Sequence, residues 1–262
     1  MLKNRLIPVL FLKNGFLVRS EKFSYHQNLG NPVSQVERFN LWNVDELIYI
    51  NISETDTYDR GREDTGIDNP ESIYDIITMV AKKCFMPLTF GGRIRNVEDI
   101  RKRLSLGADK VTINSQAISH PRFITEAAKQ FGSQAIIVSI DVRREENGTH
   151  RVYTGRGKTK IDKTPWDWAV EAEKKGAGEI FLNSVDRDGM ANGYDIELIQ
   201  KVVNQTTIPV IACGGVGTNK HFVNGLIEGK AAAIAAGNFF NFKELSYVLA
   251  KKELKKHNLN VR

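Results

Sequence analysis

The feature that most constrains this chain is an alternation running its whole length, short apolar runs separated by longer amphipathic ones. The strand-like runs are Leu6–Phe11, Leu47–Asn51, Pro87–Phe90, Val111–Asn114, Ala135–Asp141, Ile180–Ser184, Ile208–Ala212 and Ala232–Ala236. Helix-period segments lie between most of them, among them Asn96–Ser105, Pro121–Gln130, Pro165–Lys175 and Tyr194–Val203. Strands that alternate with helices pair in parallel, because a parallel neighbour is reached only through a crossover. Eight such units in 262 residues fit a (β/α)8 TIM barrel, one domain over residues 1–262, better than an open doubly wound sheet. No Gly-x-Gly-x-x-Gly follows the first strand, which argues against a dinucleotide-binding fold.

The two halves of the chain resemble each other. Pro87-Leu-Thr-Phe-Gly-Gly recurs as Pro209-Val-Ile-Ala-Cys-Gly-Gly, and Asp45-Glu-Leu-Ile-Tyr-Ile-Asn-Ile-Ser as Gly178-Glu-Ile-Phe-Leu-Asn-Ser-Val-Asp. Gly107-Ala-Asp-Lys-Val-Thr-Ile-Asn-Ser likewise matches Gly229-Lys-Ala-Ala-Ala-Ile-Ala-Ala-Gly. Two fused four-strand half-barrels account for this; generic likeness between βα units is the alternative. Arg19–Gly30 and Glu54–Glu71 lack helical periodicity and are expected as loops at the C-terminal face, where barrel chemistry sits. Arg143–Lys163 reads as a β-hairpin insertion.

The chain carries 37 basic and 31 acidic residues, a net charge of +6. The excess suits anionic substrates. It is spread along the chain rather than massed in a patch, so nucleic acid is not an expected partner. Cys84 and Cys213 stand far apart in apolar runs, without metal or disulfide spacing, which points to a reducing compartment. No apolar run reaches membrane-spanning length, and Met1-Leu2-Lys3-Asn4-Arg5 leads straight into a strand pattern without a signal-peptide core. A cytoplasmic protein with no membrane partner is expected.

Gly91-Gly92 and Gly214-Gly215 each end a strand and precede a helix. Paired glycines let backbone N–H groups approach an anion, and the following helix adds positive potential. Each pair has a companion at the end of the next strand, Asn114-Ser115 or Ala236-Gly237. Two such sites across one mouth point to a substrate with two phosphates; tight turns alone are the alternative. Asp141 ends the fifth strand, where a carboxylate can act as general acid or base, or else cap a helix or form a structural ion pair. Its repeat partner is Phe11. Asp188-Gly189, in Asp186-Arg-Asp-Gly, borders the second phosphate site, and Asp188 can contact a substrate hydroxyl, act as a base or simply form a turn. At the opposite strand ends stand Arg5, Glu46, Lys110 and Glu179. Opposite charges there can close a ring across the barrel floor; solvated strand-end charge is the simpler reading of the pattern alone. The five histidines show no ligand spacing, and neither a metal nor an organic cofactor is indicated. Trp166 and Trp168 are expected to pack a helix after the hairpin, and Lys251-Lys-Glu-Leu-Lys-Lys-His to form a solvated terminal helix.

Over nearly its whole length the chain resembles the cyclase subunit of imidazole glycerol phosphate synthase (HisF-type). The stretches that carry this are Pro87-Leu-Thr-Phe-Gly-Gly, Gly107-Ala-Asp-Lys-Val-Thr-Ile-Asn, Phe131-Gly-Ser-Gln-Ala, Gly176-Ala-Gly-Glu-Ile, Asp186-Arg-Asp-Gly with Gly193-Tyr-Asp, and the terminal Lys-Lys-His-Asn-Leu-Asn-Val-Arg. The resemblance implies a barrel whose floor docks a HisH-like glutaminase as a heterodimer and receives ammonia through a charged gate. Arg5, Glu46, Lys110 and Glu179 match that gate, and Asp109 matches an interface position. A charged gate can admit neutral ammonia, and an apolar interior protects it from loss as ammonium. Gly91, Gly92, Asn114, Ser115, Gly189, Gly214, Gly215, Ala236 and Gly237 match the two phosphate sites.

The family uses two catalytic aspartates. Asp141 matches the second; Phe11 occupies the first, where family members read Leu-Asp-Val-Lys. A phenyl ring transfers no proton, and losing one of an acid–base pair removes roughly 10²–10⁴ in rate. Asn51 replaces a family aspartate, Arg19 a loop lysine and Arg93 a third glycine, and Glu54–Glu71 is longer than the family form. A changed mouth over a retained floor resembles the WbuZ-type paralogues associated with glycosyl amidation. That branch implies ammonia delivery for amidation of a nucleotide-linked amino sugar in surface polysaccharide biosynthesis, with a sugar amidotransferase as a further partner. The alternatives are the histidine-pathway cyclase itself and a non-catalytic scaffold that only channels ammonia.

Overall fold

The structure, a computed structural model, describes residues 3–55, 58 and 70–262. The strands are β1 (Arg5–Lys13), β2 (Phe16–Glu21), β3 (Tyr25–Gly30), β4 (Leu47–Asn51), β5 (Leu88–Gly91), β6 (Lys110–Ile113), β7 (Ile136–Arg144), β8 (His150–Thr154), β9 (Thr159–Ile161), β10 (Glu179–Ser184), β11 (Val210–Cys213) and β12 (Ala233–Ala236). The α-helices are α1 (Ser34–Leu41), α2 (Ile73–Ala81), α3 (Val97–Ser105), α4 (Ser115–Ser119), α5 (Arg122–Phe131), α6 (Pro165–Lys174), α7 (Ile196–Val203), α8 (Asn219–Ile227) and α9 (Ser246–Lys256). Parallel pairing runs β10–β11–β12–β1–β4–β5–β6–β7, and β7 pairs back to β10. The ring is therefore a closed (β/α)8 barrel, with α4 as a short extra turn before α5.

The period-2 alternation of the strands builds two cores from one sheet. In β1, Leu6, Leu10 and Leu12 face outward into the layer shared with the helices, while Ile7, Val9 and Phe11 fill the interior. Ile48, Ile137, Phe181, Ile211, Ala233 and Ala235 complete that interior. Helix starts are fixed by side-chain caps: Asn96 accepts from the Asp99 N–H, and Thr164 from the Asp167 N–H, with Pro165 in the first turn of α6. Trp168 is fully buried and Trp166 packs against the outer core. The last strand-like contact joins the chain ends: Asn4 bridges Val261 beside the barrel floor.

The stretch Arg19–Gly30, expected as a loop, is instead an antiparallel hairpin, β2–β3, standing on the end of β1. The turn that joins β1 to β2 is Asn14-Gly15, both residues with positive φ (50° and 82°), the pairing that a tight hairpin requires. The expected hairpin over Arg143–Lys163 forms as β8–β9 on the end of β7. Most of the Glu54–Glu71 expectation falls on residues 56, 57 and 59–69, outside the described residues.

Candidate functional site

The two hairpins form a roof over the C-terminal mouth. At the tip of β2–β3, Ser20 Oγ donates to Asp188 Oδ2 over 2.7 Å, Lys22 N donates to the Asp188 carbonyl, and Asn238 exchanges hydrogen bonds with the Ser20 backbone. Arg143 links the two hairpins, donating from Nε to the Gly157 carbonyl at 2.9 Å and from Nη2 to the Lys22 carbonyl at 3.4 Å.

Among the described residues, two cavities open beneath this roof. The first, about 330 Å³, lies between β4, β5, β6, β7 and β10 and includes Gly92, Asn114, Ser115 and Asp141 in its wall. The second, about 320 Å³, includes Asp188, Gly189, Gly214, Gly215, Ala236 and Gly237. The sequence-predicted phosphate residues thus separate into the two groups that the half-barrel repeat implies. Gly91 is the exception: it lies at the end of β5 without lining the cavity, and a Cβ there would sit 2.2 Å from Thr112 Cγ2. Its small size serves strand packing. Gly92 (φ 89°) and Gly214 (φ 101°) are equivalent in detail, each pressed where a Cβ would meet the carbonyl oxygen of Asn51 or Ser184. Those two residues end β4 and β10, the strands matched by the repeat.

Asp141 is 7 % exposed and held by two amides, Asn114 Nδ2 at 2.9 Å to Oδ2 and Asn183 Nδ2 at 3.1 Å to Oδ1. Burial pushes its carboxyl up to about 6, against the opposing hydrogen bond from Asn183. Asp188 is also pushed up to about 6 by burial, against the hydrogen bond from Ser20. A carboxyl in that range can hold or release a proton near neutral pH, as acid–base chemistry needs. Asn114 Oδ1, Asn183 Oδ1 and Thr112 Oγ1, on residues of the first cavity wall, are buried and have no hydrogen-bond partner among the described residues.

Phe11, 3 % exposed, lines neither cavity. Its ring meets Phe23 edge to face with centroids 5.3 Å apart, and its edge lies under Gly237. Arg93 holds a left-handed backbone, φ 56°, a conformation that favours glycine. Its side chain donates to the Glu54 carbonyl at 2.7 Å, and Arg156 pairs with the Glu54 carboxylate at 2.9 Å. Arg93, Arg95 and Arg156 all line the first cavity. Arg95 and Arg156 were missed as site residues in the sequence; the β8–β9 turn, Gly155-Arg-Gly, was the available signal for Arg156. In the second cavity, Arg19 lies over the Phe242 ring and pairs with Glu21.

At the opposite end the four charged residues converge. Arg5 donates to Glu46 Oε1 at 2.9 Å and to Glu179 Oε2 at 3.0 Å; Lys110 donates to Glu179 Oε1 at 2.6 Å and stands 3.5 Å from Glu46 Oε2. Burial disfavours the Glu179 charge, yet Arg5 and Lys110 hold its carboxyl below the ordinary value. Asp109 is exposed beside this ring, its Oδ2 accepting from the Leu88 N–H at 2.7 Å. Strand parity joins floor to mouth: Lys110, Thr112 and Asn114 succeed one another on the inner side of one chain segment, as do Glu179, Phe181 and Asn183. No helix among the described residues is long and apolar enough to cross a membrane.

Residues 5–245 match the family described as histidine biosynthesis protein. A protein of Vibrio vulnificus (strain YJ016), provisionally named imidazole glycerol phosphate synthase subunit hisF2, is 42% identical over 262 residues, which is 100% of this chain and 92% of the relative. The closed barrel, its paired glycine turns and these two matches agree, and the chain belongs to the histidine biosynthesis protein family as a HisF-type member.

Proposed function

We propose that this barrel is a synthase subunit that receives ammonia from a HisH-like glutaminase at its floor. It supplies that ammonia for amidation of a phosphate-bearing substrate at its mouth, a nucleotide-linked amino sugar of surface polysaccharide biosynthesis. The observation that carries the reading is Phe11: an apolar ring sealed against Phe23 stands where cyclases of this type place an acid–base aspartate. The floor ring of Arg5, Glu46, Lys110 and Glu179 keeps the form of an ammonia gate, with Asp109 beside it for the glutaminase. Thr112 and Ser139 offer hydroxyls in the barrel below Asp141, which supports passage of a small hydrogen-bonding guest toward the first cavity. Asp141 is the acid–base residue of this reading. Asn114, Ser115 and Gly92 hold one phosphate-type group, and Gly189, Gly214, Gly215 and Gly237 another. A sugar amidotransferase is the further partner, and the complex works in the cytoplasm.

The test bypasses the glutaminase. The purified chain is assayed with the doubly phosphorylated ribulosyl aminoimidazole carboxamide of histidine biosynthesis and saturating ammonium at alkaline pH. The expected result is no cyclase turnover from folded protein. Turnover at an ordinary enzymatic rate (about 1–10³ per second) establishes the second reading, a histidine-pathway cyclase, which the name of the 42% identical relative favours. Reconstitution with glutaminase and sugar amidotransferase then separates catalysis from channelling. Asp141→Asn abolishes sugar amidation if the barrel is catalytic, and leaves it unchanged if the barrel is a scaffold.

A further inference from the structure

The half-barrel repeat that pairs Gly92 with Gly214 carries on into the helices that follow. Helices α3 and α8 coincide in length, and Asn96 and Thr218 stand at matching N-caps. In this register Arg95 pairs with Gly217, Asp99 with His221 and Arg103 with Gly225. One contact is kept in both halves: Asp99 Oδ2 accepts from the Arg95 N–H at 2.9 Å, and His221 Nδ1 accepts from the Gly217 N–H at 3.1 Å. Another is not. Arg103 is 1 % exposed, and it donates from Nη1 to the Asp99 carbonyl at 2.8 Å and from Nη2 to the Gly92 carbonyl at 3.1 Å. At the matching Gly225 a Cβ would lie 2.9 Å from the Tyr194 ring. The turn at Gly92 therefore has a buried cation behind it, where the turn at Gly214 has only a glycine.

As packing, this arginine is costly. Its two hydrogen bonds go to backbone carbonyls, and its Nε has no hydrogen-bond partner. No carboxylate among the described residues forms an ion pair with it; Asp99 lies 3.7 Å from Arg95 Nε and accepts at 3.3 Å from the Tyr74 hydroxyl instead. A buried cation so placed is less favourable to the fold than an apolar chain of like volume. What Arg103 does hold is the peptide between Gly92 and Arg93. That unit is planar and trans, so its carbonyl and its N–H point opposite ways. A carbonyl drawn back toward α3 turns the Arg93 N–H away from α3, to the side on which Gly92 and Arg93 line the first cavity.

We infer that Arg103 is a positioning residue for the first cavity. It clamps the Gly92–Arg93 peptide from behind, so that the turn faces a phosphate-type group with its N–H side, and its buried charge adds to the attraction without touching the ligand. The inference rests on the phosphate-binding reading of Gly92 above and adds to it the side chain that shapes the turn.

Amide NMR of the full chain, titrated with inorganic phosphate, reads the Gly92 and Gly214 signals separately, so the second turn is an internal control. Arg103→Met removes the charge and both donors. The phosphate affinity read at Gly92 is expected to fall about tenfold, as loss of a charge-assisted hydrogen bond does, while that at Gly214 stays within about twofold. The midpoint of thermal unfolding is expected to hold or rise, because a buried charge has gone. Arg103→Lys keeps the charge and a donor and is expected to restore the Gly92 affinity to within about threefold of wild type. Where Arg103→Met does not fold, Arg103→Gln removes the charge and is expected to weaken the Gly92 signal's affinity by about threefold or more. Unchanged affinity at Gly92 in either folded variant overturns the proposal. Equal weakening at both turns with a lowered midpoint also overturns it, since a residue that only supports the fold behaves so. A wild-type Gly92 signal that does not respond to phosphate overturns the phosphate reading itself.

Discussion

Ser20 Oγ and Asp188 Oδ2 lie 2.7 Å apart, joining the hairpin on the first barrel strand to the turn after the sixth. Both groups are buried, so the bond is made away from water, where a hydroxyl–carboxylate bond is strong and its loss leaves an acceptor short of partners. Ser20→Ala is expected to loosen the hairpin by about 1–3 kcal/mol without unfolding the barrel. Amide exchange over residues 16–30 will quicken, while exchange in β4 and β10 stays unchanged. Uniform protection across both regions would show that the roof is held chiefly by other contacts.

Asp141 carries a carboxyl raised to about 6 by burial, against an ordinary value near 3.8. A raised carboxyl binds a proton more tightly in the folded chain than in the unfolded one. Its contribution to stability is greatest at low pH and is lost as pH rises through about 6. Asp141→Asn is therefore expected to raise stability by about 1–3 kcal/mol at pH 8, with the gain disappearing toward pH 4, while removing any chemistry the carboxyl performs. Denaturant melts of both proteins across that range provide the check. A variant less stable than wild type at pH 8 would mean that the bonds from Asn114 and Asn183 outweigh the cost of burying the charge.

The floor ring behaves oppositely. The Glu179 carboxyl is held below its ordinary value, so its stabilisation is fully present at neutral pH and is lost as pH falls through the folded value. Glu179→Gln leaves Arg5 and Lys110 to share Glu46, at a cost of about 1–3 kcal/mol at pH 7 that shrinks in acid. Functionally, the variant should impair glutamine-driven turnover more than turnover driven by added ammonium. Equal loss with both nitrogen sources would place the ring outside the ammonia route.

Phe11→Ala removes a ring packed among Val9, Val18, Phe23 and the edge of Gly237. Truncating a buried phenylalanine costs about 3–5 kcal/mol, and the measured midpoint of thermal unfolding should fall accordingly. A loss below about 1 kcal/mol would show that the hairpin collapses into the vacancy.

Much of this molecule could be read from the chain because barrel strands announce themselves by period. The run Leu47–Asn51 is a strand with those same limits, and Asn96 caps the helix that begins after it. The charged floor ring was legible as charge at strand starts, since parity carries those side chains to the inner side. The first hairpin was not read, although its signal was present. Lys13-Asn14-Gly15-Phe16 is a tight-turn sequence, and the half-barrel repeat that places a hairpin after the fifth strand asks for one after the first. Arg95 and Arg156 reach the first cavity from two separate segments that only folding brings together; Gly155-Arg-Gly marked a turn at Arg156, but nothing local tied it to this mouth. Gly91 shows a packing reason for a motif glycine that the sequence did not reveal: the neighbouring Thr112 leaves no room for a Cβ.

The bridge between Asn4 and Val261 makes the polypeptide topologically close to a ring. Circular permutation follows as a practical consequence. A short linker across residues 4 and 261, with a new opening at Gly132 between the halves, would ask each half-barrel to begin where its own first strand begins. Because Arg262 stands 3.7 Å from Glu46, that linker would cross the threshold of the floor ring. Such a permutant separates two properties that the native chain order keeps together: the capacity of the halves to assemble, and the exposure of the charged ring beneath them.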